Sequence, residues 1–277
     1  MTNRFKPSNM YNMTKSFEFL NIAHIDAKLK RDLLKNEDKL RIIYLIVFIF
    51  LLYVFHGWIL YWLHFGIAFS KLDKSPINTQ KEPIQINFNK QEQNSKIFEY
   101  KSLINSNTVT IIPMADYKLA GTVVAYNRDF FFRSEFFDSM ALYDIGISWG
   151  KLANKEFFTK HIKTYSQKVE MTGSRRLNWS WNQDIGLDNN YISSHISHSH
   201  IIPANRNIMA ALLTIKEWDK VELTGQLVDM RFIDKKNRIH DYRTSLSRED
   251  DDNTSRGNGA CETIYLTKIK IGNKLYK

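Results

Sequence analysis

The sequence predicts an α+β protein: one N-terminal transmembrane helix, then a mostly β soluble domain with two or so short helices, a small barrel being one form it can take. Three observations carry that expectation. Ile42 to Ser70 is an apolar run without a fixed charge, five later segments are rich in β-branched and aromatic residues, and two short patches repeat apolar residues at helical spacing.

Residues 1–41 begin polar, then place Ile25, Leu29, Leu33 and Leu40 at helical spacing, which predicts an amphipathic helix leading into the membrane. A bilayer core of about 30 Å needs about 20 apolar residues in a helix. The run supplies them over Ile42–Trp62, with Leu63–Phe69 as an interfacial extension, so residues 42–69 form the anchor. Trp58, Tyr61 and Trp62 are ring types that settle at headgroup depth. His56 and His64 read as interfacial residues beside them. A soluble helix this long would show a polar face, and a cleaved signal peptide would not follow so long a leader. Lys28, Lys30, Arg31, Lys35, Lys39 and Arg41 precede the run, while Lys71, Lys74 and Lys81 follow it. That bias predicts a single-pass bacterial inner-membrane protein, N-terminus cytoplasmic and C-terminal domain periplasmic.

Residues 70–96, with two of the chain's five prolines and many Gln and Asn, are expected to be a linker, leaving 97–277 as the soluble domain. Within it, Tyr117–Tyr126, Asp144–Trp149, Lys220–Phe232, Tyr242–Leu246 and Thr263–Ile271 read as strands. Two alternate cleanly: Val221, Leu223, Gly225 and Leu227 in one, then Ile264, Leu266, Ile269 and Ile271 with a phase change in the other. Leu152–Lys163 and Asn207–Lys216 read as helices. Strands with two helices among them make an α+β domain.

The formal net charge is +10. Residues 1–41 hold nine Lys/Arg against five Asp/Glu, and residues 70–277 hold 30 against 24 without a basic run interleaved with aromatics. Attraction to anionic headgroups accounts for the N-terminal excess, and no nucleic-acid partner is expected. The chain has one cysteine, Cys261, so no intramolecular disulfide and no Cys-based zinc site is expected.

Candidate chemistry is concentrated in two places. His195, His198 and His200 lie in SSHISHSHIIPA, and on a strand His198 and His200 share one face at a spacing two metal ligands can use, with His195 on the other. A third ligand is not specified, so the expectation is no metal and no cofactor, with polar residues entering the turn at Pro203. Near the C-terminus Asp250 lies in an acidic loop, and Gly259-Ala260-Cys261-Glu262 leads into a strand. That thiol is either a nucleophile with a cluster histidine as base or a small residue packed inert under the sheet, and the apolar run after it favours packing. Arg175 and Arg176 with Trp179 and Trp181 read as a cation–π platform or as one buried strand face. No phosphate-cradling, dinucleotide, GxSxG or HExxH pattern is present.

Five elements occur in order: Asp144-Ile145…Trp149-Gly150, His198…His200-Ile201-Ile202-Pro203-Ala204, Asp219-Lys220-Val221…Gly225-Gln226-Leu227-Val228, Ser245-Leu246-Ser247-Arg248 and Gly257…Gly259-Ala260-Cys261-Glu262. Together they resemble a family of uncharacterised, single-pass membrane-anchored bacterial proteins, over roughly Tyr117 to Ile271. Trp218 stands where the resemblance leads one to expect glycine, and Glu249–Arg256 is longer than expected. The resemblance implies no activity. The expected function is a membrane-anchored envelope protein, in contact with the lipid bilayer, whose domain binds a protein or polymer partner. The alternative is a membrane-tethered hydrolase using His195, His198 and His200 with Asp250 or Cys261.

Overall fold

The computed structural model describes residues 41–51, 67–103, 108–127, 143–168, 175–233, 237–247 and 261–277. Two compact units divide at residue 61. Of the first, the described part is a helical stretch over residues 41–51. Among the described residues no helix is long and apolar enough to cross a membrane. The expected transmembrane helix over 42–69, and with it the single-pass, inner-membrane and periplasmic assignments, is therefore corrected. The expected amphipathic helix and residues 52–66 lie outside the described residues.

The second unit corrects the fold class as well: 48% of the chain is strand, arranged around a closed five-stranded barrel. Its elements are β1 (Lys71–Leu72), β2 (Ile84–Asn87), α1 (Lys90–Ser95), β3 (Phe98–Lys101), β4 (Thr108–Asn127), β5 (Tyr143–Ser148), a 3-10 turn (Gly150–Ala153), α2 (Lys155–His161), β6 (Ile162–Lys168), β7 (Arg175–Trp181), α3 (Asn189–Ser194), β8 (Ile196–Pro203), α4 (Arg206–Leu212), β9 (Lys220–Ile233), β10 (Ile239–Tyr242), β11 (Cys261–Ile271) and β12 (Lys274–Tyr276).

The barrel runs β4–β5–β8–β11–β9 and closes by β9 pairing back onto β4. All these pairings are antiparallel except β8 with β11, which is parallel. The chain thus makes a three-strand meander and crosses over through α4. It then adds β9 against the first strand and seals the gap with β11, a Greek-key path of the kind small five-stranded binding barrels follow.

Register explains the interior. Leu119 pairs with Leu223, Val123 with Ile147, Ile264 with both Ile201 and Leu227, and Leu223 with Ile269, so these side chains point to one face. All are fully buried, and each such aliphatic side chain contributes about 1.5–3 kcal/mol of burial. A bulge between Leu266 and Lys268 lets β11 keep Ile269 and Ile271 on the inward face after the alternation slips by one. Gly225 lies against this region; a Cβ there would overlap the carbonyl oxygen of Tyr265. Asn205 caps α4, its Oδ1 accepting the Ile208 N–H at 3.0 Å, and Ile208, Met209, Ala211 and Leu212 are fully buried against β8, β11 and β12.

The segment expected as a linker belongs to this unit. β1 pairs with β12 and β2 with β4. The buried Lys270 (3% exposed) reaches Asp73 at 2.8 Å, and its Nζ donates to the Ser75 carbonyl and hydroxyl at 2.6 Å. Polar Gln and Asn composition marks an exposed segment, and β2 is one: Ile84 and Ile86 are exposed on a short outer strand. The β6–β7 hairpin forms its own two-stranded sheet, with Trp179 and Trp181 packed on the cluster of Val124, Leu152, Phe158 and Ile196.

Candidate functional site

The outward face of the barrel carries the chemistry. Residues facing the same way on three adjacent strands follow from the pairing: Asp144 lies opposite His200, Gly146 opposite His198, and Cys261 beside His198 in the parallel pair. His198 and His200 stand two apart on β8, whose β-branched and apolar residues (Ile196, Ile201, Ile202) commit it to strand rather than to the loop expected before Pro203. Their rings are 4.6 Å apart.

Around them the geometry is tight. His200 Nδ1 is 2.7 Å from Asp144 Oδ1. The Cys261 sulfur is 3.4 Å from His198 Nδ1. The Nε2 of His198 lies 4.0 Å from the same Asp144 oxygen. One donor atom from each of His198, His200 and Cys261 lies within 4.8 Å of the others. Asp144 and His198 are buried at 1% and 3% exposure, whereas the His200 side chain is 17% exposed and Cys261 is half-buried. The accessible side of the cluster is therefore the thiol and His200, with His198 and the carboxylate beneath.

Electrostatics follow from this layering. Burial alone would push the Cys261 thiol up from its ordinary value of 9.0. The charge and hydrogen bond of His198, followed by those of His200, outweigh it and bring the thiol down to about 5. For His200 burial favours the neutral ring, but the charge and hydrogen bond of Asp144, with smaller contributions from Cys261, raise it from 6.5 to about 10. The arrangement holds a thiolate beside an imidazolium at neutral pH, the state in which a cysteine is a nucleophile or a metal ligand.

Of the residues singled out in the sequence, the structure brings together His198, His200 and Cys261. His195 is elsewhere: it follows α3, stacks on Tyr191 at 3.7 Å, and lies 2.8 Å from Glu82, which also accepts from the Trp149 indole at 3.1 Å. Its role is to fasten the segment around Glu82 to the barrel. Asp250 lies outside the described residues, as do the side chains of Arg175 and Arg176. Cys261 does not meet the expectation of an inert thiol packed in apolar surroundings, because its nearest polar neighbours are imidazoles. Asp144 was missed. The signal for it was present, since Asp144, Gly146 and Ser148 alternate with Tyr143, Ile145 and Ile147 in β5, placing a lone carboxylate in a fully buried strand.

No protein-family model, curated protein or solved structure matches the chain. The class that fold and site define is a closed five-stranded Greek-key barrel with a thiol, two imidazoles and a carboxylate on its outer face. A fold of this kind does not assign an activity, which has to be argued from the site.

Proposed function

We propose that the protein is a thiol-dependent hydrolase working by acyl transfer, with Cys261 as nucleophile, His200 as general acid and base, and Asp144 as the residue that positions His200. The observation that carries this reading is His200 held with a carboxylate 2.7 Å from its Nδ1 in one cluster with the Cys261 thiol, a donor atom of each lying within 4.8 Å of the other. This is the order nucleophile, base, orienting group that acyl-transfer sites share.

The chemistry closes on these residues. The Cys261 thiolate attacks the carbonyl carbon of an ester, thioester or amide, forming a carbon–sulfur bond. The bond to the leaving group breaks, and the leaving group departs with a proton from His200. Water then attacks the thioester, losing its proton to His200, and the thiolate is restored. Asp144 keeps the His200 proton on Nδ1 and steadies the imidazolium. A partner-binding role has no comparable assembly of side chains in its favour among the described residues.

The test is turnover of p-nitrophenyl acetate by the full chain, with intact-mass and peptide analysis of acid-quenched samples. A transient acetyl group on Cys261 is expected. His200→Ala should accumulate that adduct and slow its hydrolysis by about 10²–10⁴-fold, the size of a general acid–base contribution. An acetyl group that forms on wild-type Cys261 and is never hydrolysed, or hydrolysis unchanged in His200→Ala, would overturn the reading.

A further inference from the structure

We propose that His198, His200 and Cys261 form a binding site for one divalent transition-metal ion, zinc being the ion that fits the donor set best. This goes beyond the hydrolase reading and rests on the geometry of the cluster, not on the thiol's chemistry.

His198 takes no proton in the acyl-transfer steps. Acyl transfer uses one imidazole, and His200 supplies it. His198 is 3% exposed, and its Nε2 is buried without a hydrogen-bond partner in the described structure. An imidazole nitrogen left unsatisfied inside a protein costs about 1–3 kcal/mol. What surrounds it is suited to a cation: a thiol at 3.4 Å from Nδ1, a second imidazole, and a carboxylate oxygen 4.0 Å from Nε2.

Two imidazoles and a thiolate make a borderline-soft donor set, which selects zinc and its neighbours over the oxygen-seeking calcium and magnesium. Zinc holds nitrogen at about 2.0–2.1 Å and sulfur at about 2.3 Å, so tetrahedral ligand atoms sit about 3.3–3.7 Å from one another. The Cys261–His198 pair is already at 3.4 Å, and the full set lies within 4.8 Å, so closing on an ion needs movement of about 1 Å. His200 is oriented for it: with Nδ1 on Asp144, Nε2 would be the ligating nitrogen, the carboxylate–histidine–metal arrangement that orients ligands. When His198 ligates through Nδ1, its Nε2 lies 4.0 Å from the same Asp144 oxygen, and an approach of about 1 Å would let one carboxylate support both imidazoles.

Three protein ligands leave a fourth position for water. Occupancy also takes the thiolate and His200 from the acyl-transfer chemistry, so a bound ion blocks the nucleophile reversibly.

The experiment titrates the full, chelator-treated chain with Co²⁺ and then displaces it with Zn²⁺. The readouts are the near-ultraviolet sulfur-to-cobalt charge-transfer band and competition with a chromogenic chelator. One equivalent is expected, with a band that Cys261→Ser abolishes and an affinity that falls at least tenfold in His198→Ala and about 10–100-fold in Asp144→Asn. Zinc should also protect Cys261 from iodoacetamide in the wild-type chain and not in His198→Ala, which keeps its thiol. This comparison stays readable if the serine variant fails to fold. No band in the wild-type chain, or a band and protection unchanged in His198→Ala, overturns the site. A metal site with no turnover of Cys261-bound acetyl removes the hydrolase reading alone. Turnover with no band removes the metal site alone.

Discussion

The pH dependence of Cys261 alkylation is the most direct test of the cluster, because the chain has no other cysteine to confuse the signal. The perturbation is pH itself, moved from 6 to 8 in the presence of a chelator, with iodoacetamide limiting. Only the thiolate reacts, so the rate follows the ionised fraction. A thiol at its ordinary value of 9.0 would speed up about 90-fold over that interval, since its thiolate fraction rises from about 0.1% to about 9%. A thiol at about 5 is already about nine-tenths ionised at pH 6 and can gain only about 1.1-fold. Taking the ratio of rates cancels the partial burial of Cys261 and the lower intrinsic nucleophilicity of an acidic thiol, both of which lower the rate at both pH values alike. The expected result for the folded chain is a nearly flat profile, with the steep one returning in denaturant. His198→Ala removes the neighbour that lowers the thiol most and should steepen the native profile. A native rate that climbs more than about 30-fold between pH 6 and pH 8 would refute the ion-pair description of the site.

Asp73 is held well below its ordinary value of 3.8 by the hydrogen bond from Lys270, then by those from Ser75. A depressed carboxyl contributes stability above its ordinary value and loses it as pH falls, so thermal scans should show Tm dropping below about pH 4, and dropping less in Asp73→Asn. Gly225→Ala places a Cβ on the Tyr265 carbonyl oxygen, a backbone atom that cannot step aside, and should cost at least about 3 kcal/mol in urea denaturation. Unchanged stability there would mean that β9 and β11 do not approach so closely. Trp218 sits at φ 72°, the left-handed region that favours glycine, and packs edge-on against Phe158 at 5.8 Å. Glycine at 218 should therefore exceed alanine in stability by about 1 kcal/mol, the reverse of their usual order, because both lose the ring but only alanine keeps the strain.

Much of the barrel was legible in the sequence because its strands bury one face. The inward set Val221, Leu223, Gly225 and Leu227 is the alternation seen in the sequence. The phase change after Leu266 is the β11 bulge, where one extra residue restores the inward face. Thr263–Ile271 fell on β11 for the same reason, whereas Asp144–Trp149 fell on β5 by its β-branched and aromatic content, since β5 is buried on both faces. What was not legible lies where burial is uneven. The hairpin β6–β7 buries Ile162 and Leu177 but leaves Tyr165 exposed. Tyr242–Leu246 reads as a strand but pairs only through Tyr242, the last residue of β10. Residues 71–87 join the sheet through backbone pairing and a buried Lys270, neither of which leaves a hydrophobic pattern. The apolar run from Ile42 predicts a spanning helix on composition, while no helix among the described residues is long and apolar enough to cross a membrane. The positive φ of Trp218 is a backbone feature that no hydrophobic pattern announces.

The site demanded a kind of information that single-strand patterns do not hold. Period-two alternation alone puts His198 and His200 on one face. It cannot say which residues of other strands face them, because a slip of one residue in either neighbour would exchange its inward and outward sets. Here the β5 pairing sets Asp144 across from His200 and the side-chain-free Gly146 across from His198, so the carboxylate nearest the His198 ring reaches it diagonally. The β8–β11 pairing is parallel, made possible by the crossover through α4 and β9, and it sets Cys261 beside His198, 63 residues away in sequence. The cluster thus depends on two registers of opposite sense meeting on one strand. That dependence explains why an inert thiol was the better reading of Gly-Ala-Cys-Glu taken by itself. It also explains why the carboxylate in Asp-Ile-Gly-Ile-Ser acquires a role only once β8 lies against it.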